Sequence, residues 1–424
     1  MKTLSHILTA LALTLPLAGA QAANWTITDL GALGAPGNAI YESRAYNINN
    51  AGQVAGQGVV LTNGALANHY VVWSNGTQID LGIRITSSGV DAAPINDAGQ
   101  VAGWIQAEDG QPFLWENGVV TRLPMLPNTV DGCRVTGINA SGAVVGDNGV
   151  QRWWGVERVS VRWQGGVVAD LGLPYGSVIA INDSGALAIA AGQMGQRSYV
   201  LSGGFTNLVN VPGLDTNYGT TAAADLNNAG QVCGWFHLNG TVDQTPHAFL
   251  WQGGAGTALP EVPGAYSIAV ALNNHGHMVG SINPYSASHP AVLWRDGTLT
   301  ILNDLPEVVA AGWSGLTARD INDHDQIVGY GYHGGLVKAF LLSPTAVPAP
   351  FALTIARSGT NVTVSFPTET GFGYQLQSSA ALPAVTWQNE GAPIPGTGGV
   401  LVTNLPLIAG PGRVTAVFYR VQSQ

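Results

Sequence analysis

Between Trp25 and Pro344 the apolar residues come in short bursts, many alternating with polar ones, cut by Asn, Asp, Gly and Pro. That pattern predicts brief strands joined by turns. Four kinds of burst recur in a fixed order. The first two form one motif: Ile/Leu-Asn, a short turn, then an apolar strand usually ending in Gly. Its copies are INNAGQVAG from Ile48, INDAGQVAG from Ile95, INASGAVVG from Ile138 and INDSGALAI from Ile181, then LNNAGQVCG from Leu226, LNNHGHMVG from Leu272 and INDHDQIVG from Ile321. The third burst often opens with His and ends near Trp, as in HYVVWSNG from His69 and HAFLWQGG from His247. The fourth is typified by Asp-Leu-Gly, as in TQIDLG from Thr77 and VVADLG from Val167.

The leading asparagines, Asn49, Asn96, Asn139, Asn182, Asn227, Asn273 and Asn322, recur at steps of 43 to 49 residues. Four strands at that period predict one propeller blade per repeat. The expected fold is therefore all-β: a seven-bladed β-propeller closed by the N-terminal strand, followed by a small β-sandwich. The long link before Ile-Asn is taken as the crossing between blades, which makes Ile-Asn the innermost strand a and Asp-Leu-Gly the outermost strand d. On that assignment WTITDLG from Trp25 supplies the outer strand of the seventh blade, beside Lys338–Ser343, and removes an exposed sheet edge. Asn or Asp opens the a–b turn because its side chain bonds nearby backbone and tolerates unusual dihedrals. Calcium is the competing reading where Asp320, Asn322, Asp323 and Asp325 crowd together, but most copies carry one carboxylate or none.

The ends of the chain read differently. Lys2, an apolar run from Ile7 to Ala20, and Ala20-Gln21-Ala22 form a secretory signal over residues 1–22. The propeller spans 23–344, a Pro/Ala linker 345–350, and short alternating strands over 351–424 suggest the sandwich. Export carries the protein outside the cytoplasm: extracellular, on the cell surface, or in the periplasm. No integral membrane segment is expected after signal cleavage.

Composition narrows the partners. The chain has 424 residues, only 9% charged and 46% apolar, with 57 Gly and 23 Pro, which suits turn-dense β-structure and argues against disorder. A net charge of −10 without Lys/Arg clusters excludes nucleic acid as an expected partner. Cys133 and Cys233 fall in non-adjacent blades, beyond bonding reach, so two buried free thiols are expected.

The combination of HAFLW, TDLG and IN-x-x-GQVVG resembles the HAF-type extracellular repeat of bacterial exported proteins, over about residues 24–343. Only His247–Trp251 is a full HAFLW copy, and the fourth repeat lacks both the Trp and the closing Gly. LTIARSGTNVTVSF, YQLQSS, Trp387 and FYRV are similar to immunoglobulin- or fibronectin-like modules of secreted proteins. The resemblance implies export and a propeller-like domain, and it transfers no catalytic residue.

In a propeller the a–b and c–d turns share one face, and the b–c and d–a loops share the other. The first face is nearly uniform here. The second varies from repeat to repeat, which is where specificity is usually built on a repeated scaffold. It is rich in aromatics, and rings with an apolar face and a polar tip suit sugars or peptides. The candidate ligand-binding residues are Trp104, Trp153, Trp154, Trp235, Tyr285, Trp313 and Tyr332, for an extracellular glycan or protein; packing of the loops onto the blades is the competing reading. Trp73, Trp115, Trp163, Trp251 and Trp294 recur at one strand-c position and read as inter-blade core; His69, His247 and His289 read as structural hydrogen-bonders.

No Gly-x-Ser-x-Gly elbow, His-Glu-x-x-His or phosphate loop is present, so no catalytic residue is assigned. Carboxylates such as Glu42, Asp91, Glu108, Asp131, Asp215 and Glu307 reach the variable face, and a converging pair would serve glycoside hydrolysis. His275 and His324 occupy equivalent turns one blade apart, with His277 and His333 close in sequence. Zinc needs three or four converging ligands, so no metal and no cofactor is expected. The leading reading is a non-enzymatic exported binding or surface-interaction protein. The alternatives are an exported polysaccharide-active propeller enzyme, hydrolase or lyase, and a structural surface component without a discrete ligand.

Overall fold

The computed structural model describes residues 25–33, 42–62, 65–85, 93–105, 110–153, 155–173, 176–191, 197–209, 211, 220–237, 245–283, 289–345, 354–358, 361–368, 373–379, 388–389, 392–406 and 418–423. The chain divides into two compact units, one of them Trp25–Pro344. That unit is a seven-bladed β-propeller made of seven separate antiparallel sheets. Blade 1 runs Ser43–Ile48, Val54–Thr62, Ala65–Ser74, Thr77–Ile85, paired in chain order. Five further blades repeat that order; in blade 2 the inner strand is reduced to a single bridge between Ile95 and Val101. Blade 7 holds Ser314–Ile321, Ile327–His333 and Leu336–Pro344, and its fourth strand is Trp25–Asp29, with Trp25 opposite Pro344 and Asp29 opposite Phe340.

A bulge in strand a explains the glycine that ends most copies of the motif. The pairing slips by one residue between Ala45 and Asn47, and again between Ala223 and Asp225, Ala269 and Ala271, and Ala318 and Asp320. The slip pushes strand-a carbonyls over strand b. A Cβ on Gly56 would lie 2.1 Å from the Arg44 carbonyl oxygen, and one on Gly329 would lie 1.9 Å from that of Thr317. No side chain fits there.

The core lies between blades. Tyr70, Val72 and Leu81 of blade 1 pack with Ala93, Val101, Phe113 and Trp115 of blade 2. Ala45, Val71 and Trp73 of blade 1 pack in the same way against Val328 and Ala339 of blade 7. The five strand-c tryptophans are all buried. Two of them tie blades polarly as well: Trp163 Nε1 donates to the Pro124 carbonyl and Trp294 Nε1 to that of Pro260. His69 and His247 each hydrogen-bond a carboxylate, Asp80 and Glu261, at 3.0 Å. Cys133 and Cys233 are free and buried.

In the C-terminal unit, Thr354–Ser358, Asn361–Pro367 and Val400–Pro406 form one antiparallel sheet. Gly373–Ser379 is paired by Gln388–Asn389, Ile394–Pro395 and Phe418–Ser423 in another. Phe366 of the first and Tyr374 of the second are buried with ring centroids 5.7 Å apart.

Candidate functional site

The axial mouth on the uniform face is built by the a–b turns. Each Asn–Gly loop closes with two backbone bonds, as between Asn49 N and Gln53 O and between Gly52 N and Asn49 O, both 3.0 Å. Gly52 sits at φ +73°, where a β-carbon is penalised. The seven asparagines then face one another around the axis. Each Nδ2 donates to the next blade's asparagine carbonyl: Asn49 to Asn96, Asn96 to Asn139, Asn139 to Asn182 and Asn182 to Asn227. Asn227 continues to Asn273, Asn273 to Asn322, and Asn322 back to Asn49. The distances run from 2.9 Å at Asn49 to 3.2 Å at Asn139.

A second ring lies one residue further on. The backbone N–H of Asn50, Ala140, Asp183, Asn228, Asn274 and Asp323 each donates to a side-chain oxygen on the next blade. The gap is at Ala140, which offers Asp97 no side-chain acceptor. Together the rings enclose a mouth of about 180 Å³ lined only by Asn, Asp, Ile, Leu and Ala. Its carboxylates are committed: Asp97 and Asp323 both accept from Asn50 Nδ2, and Asp183 accepts from Asn228 Nδ2. This mouth is scaffold.

Two carboxyls lie deeper, at the bulges of blades 5 and 7. Asp225 accepts from the N–H of Leu226 and of Leu272 on the next blade; Asp320 accepts from Ile321 and from Ile48 across the blade 7 to blade 1 junction. Burial pushes the Asp225 carboxyl up to about 6. Burial, with the Asp225 charge adding to it, pushes Asp320 up to about 7. Their oxygens face backbone amides, so their work is to clamp neighbouring blades.

The opposite face carries the described residues among those singled out from sequence. Trp153 stands at the tip of the hairpin between Val144–Arg152 and Gly155–Gln164 and is 91% exposed. Tyr332, near the blade 7 hairpin tip, is 56% exposed. Trp104 and Trp235 are half-buried on second strands, and Trp104 fills space against the blade 1–2 and 2–3 cores. Trp313 is 5% exposed, stacked on His333 at 4.6 Å with Phe340 against its edge, so its faces are spent on packing. Trp154 and Tyr285 lie outside the described residues. Long b–c hairpins of blades 1 and 3 also expose Leu61, Leu66 and Val156 near their tips, a feature that composition alone does not reveal. Of the carboxylates singled out here, Glu42 pairs with Arg44, and Asp131 shares Arg158 with Asp147. Glu307 sits in the short helix Pro306–Ala310, and Asp91, Glu108 and Asp215 lie outside the described residues.

A second cluster lies on the uniform face between blades 6 and 7. Donor atoms of His275, His277 and Asp325 all fall within 4.8 Å of one another. His277 Nδ1 is 2.7 Å from Asp325 Oδ1, which also accepts from Asn273 Nδ2 at 2.9 Å. Asp296 Oδ1 is 3.5 Å from His277 Nε2, and Arg295 Nη1 is 3.6 Å from Asp325 Oδ2. Donating its Nδ1–H to the Asp325 carboxylate holds the His277 pKa above its ordinary value. Sequence reasoning set His275 and His324 at equivalent turns and expected no metal site; the residues that converge with His275 are His277 and Asp325. The available signal was that both replace the repeat's usual residues, Gln and Gly.

No known family and no curated protein matches this chain. Solved propellers do. YCF48 bound to D1 peptide is 13% identical, with 76% of this chain and 97% of that one covered at a TM-score of 0.45. The β-propeller domain of the Trilobed protease from Pyrococcus furiosus is 9% identical, covering 77% and 89% at 0.33. A Trypanosoma rangeli sialidase is 10% identical, covering 90% and 82% at 0.30. Likenesses this distant transfer no activity.

Proposed function

We propose that this chain is an exported, non-enzymatic binding protein whose propeller presents its b–c and d–a face to glycans or other extracellular partners. The observation that carries the reading is the hairpin rim: Trp153, Val156, Leu61, Leu66 and Tyr332 expose apolar surface near b–c hairpin tips of three blades. A ligand that covers these exposed apolar groups gains their burial. The opposite mouth, by contrast, spends its polar groups on its own rings.

In this reading residues 1–22 are a secretory signal and the repeats are of the HAF type. Trp25–Asp29 is the strand that closes the propeller, which its pairing with Leu336–Pro344 supports. Residues 351–424 form an immunoglobulin- or fibronectin-like β-sandwich, supported by the Phe366–Tyr374 contact between two sheets. The test is a glycan array and a panel of extracellular polymers probed with the mature chain and with Trp153→Ala plus Tyr332→Ala. Binding that the double variant loses supports the reading. A folded chain that binds nothing, or that releases reducing ends or unsaturated products from polysaccharide, sinks it.

A further inference from the structure

We infer that His275, His277 and Asp325 form a binding site for a borderline divalent transition ion, Zn²⁺ being the type case, which staples blade 6 to blade 7. Two independent observations meet there. One is the convergence of two imidazoles and a carboxylate within 4.8 Å, from turns on adjacent blades. The other is how far this junction departs from its counterparts.

At four other junctions the residue after one blade's left-handed turn residue is Gln, and its amide abuts the turn glycine of the next blade. Gln53 lies against Gly99, Gln100 against Gly142, Gln231 against Gly276, and Gln326 against Gly52. Between blades 6 and 7 that pair is His277 and Asp325. Asp325 stands at φ +56°, where the other six turns have glycine. Asp tolerates the left-handed region better than most side chains, at a small cost that glycine avoids, so this turn alone carries a carboxylate where its counterparts carry no side chain. An ordinary His–Asp bond accounts for His277 and Asp325. It leaves unexplained the third donor, His275, whose ring centre is 5.8 Å from that of His277.

The donor set selects the ion. Imidazole nitrogens suit Zn²⁺ and its first-row neighbours, while calcium and magnesium want oxygen. Asp325 Oδ1 faces His277, and Arg295 sits on the other oxygen, so the guanidinium leaves one lone-pair face to the ion. Asp296 faces the other ring nitrogen of His277, Nε2, at 3.5 Å, where a carboxylate that accepts its N–H orients the imidazole, and water completes the shell. An ion entering here displaces the proton shared by His277 and Asp325, which passes to solvent.

The experiment uses the full mature chain, stripped with chelator and desalted, titrated with Zn²⁺ alone by calorimetry and with Co²⁺ by visible absorbance. Expected are uptake of one equivalent and a thermal midpoint that climbs with metal concentration. Asp325→Gly and His277→Gln restore the residues used elsewhere in the repeat, so both should fold, with uptake weakened about tenfold or more. His275→Ala, an exposed turn side chain, decides the matter if either of those fails to fold. The site is overturned if the native chain takes up no ion, if the variants bind as tightly as the native chain, or if Ca²⁺ binds as well as Zn²⁺.

Discussion

Asn322 donates its side-chain amide to the backbone carbonyl of Asn49, 3.0 Å away across 273 positions of sequence. The same bond links every other pair of neighbouring blades, so the junction between the last blade and the first is built like the rest. All seven asparagines are buried. Asn322→Asp, nearly isosteric, removes the donor and sets a carboxylate against the Asn49 carbonyl. It should cost about 1–3 kcal/mol, read as a lower urea midpoint.

The second ring invites the opposite change. Ala140 is the one position in it without an acceptor, leaving the Asp97 N–H without the side-chain bond its counterparts make. Ala140→Asn should add that bond without adding charge to an acidic mouth, raising stability by about 0.5–1.5 kcal/mol. Thermal denaturation beside the native chain checks it.

Asp225 and Asp320 make the propeller sensitive to pH. Their carboxyls are raised, to about 6 and about 7, so the folded protein holds protons that the unfolded chain releases from about pH 4 upward. Their contribution to stability therefore falls as pH rises from about 4 to about 7 and levels off above that. Asp320→Asn should flatten part of the decline. Blade 1 already uses an amide at this position, where Asn47 Oδ1 accepts from the Ala93 N–H. Urea midpoints across the range decide: an unchanged slope in the variant refutes the assignment.

Trp153 should be dispensable to the fold. At 91% exposure its replacement by Ser should move stability by less than about 0.5 kcal/mol. Denaturation curves that shift further would show that the indole packs on something, and would remove the main support for a binding rim.

Neither cysteine should respond to redox conditions. Burial pushes both thiols well above their ordinary value, and they stand in different blades. A disulfide-exchange reagent should titrate two thiols only after denaturation, and reductant should leave the melting temperature unchanged.

Much of the architecture is legible in the chain because a repeat states its constraints seven times. The blade count, the innermost Ile-Asn strand, the buried strand-c tryptophans and the structural roles of His69 and His247 all follow from residues recurring in register. What single repeats do not display is contact between them. Asn49 reads as the opener of a local turn, and its Oδ1 does accept locally, from Gln53 N; its Nδ2 reaches the next blade, which only the closed structure brings near. The same limit separates Trp313 from Trp153. Both read as loop aromatics, but one is buried and stacked on His333 and the other is 91% exposed. His277 and Asp325 look unremarkable as single substitutions because they are 48 positions apart, and they become partners only when two turns meet.

The asparagine ring has a direction of travel and no starting point. Every donor points from one blade to the next, and the bond from Asn322 to Asn49 differs from the others only in the length of chain between its ends. Where the polypeptide begins is thus irrelevant to the ring. A circularly permuted gene that joins the present ends of the propeller and opens the chain in any d–a loop should rebuild the same seven-membered circuit.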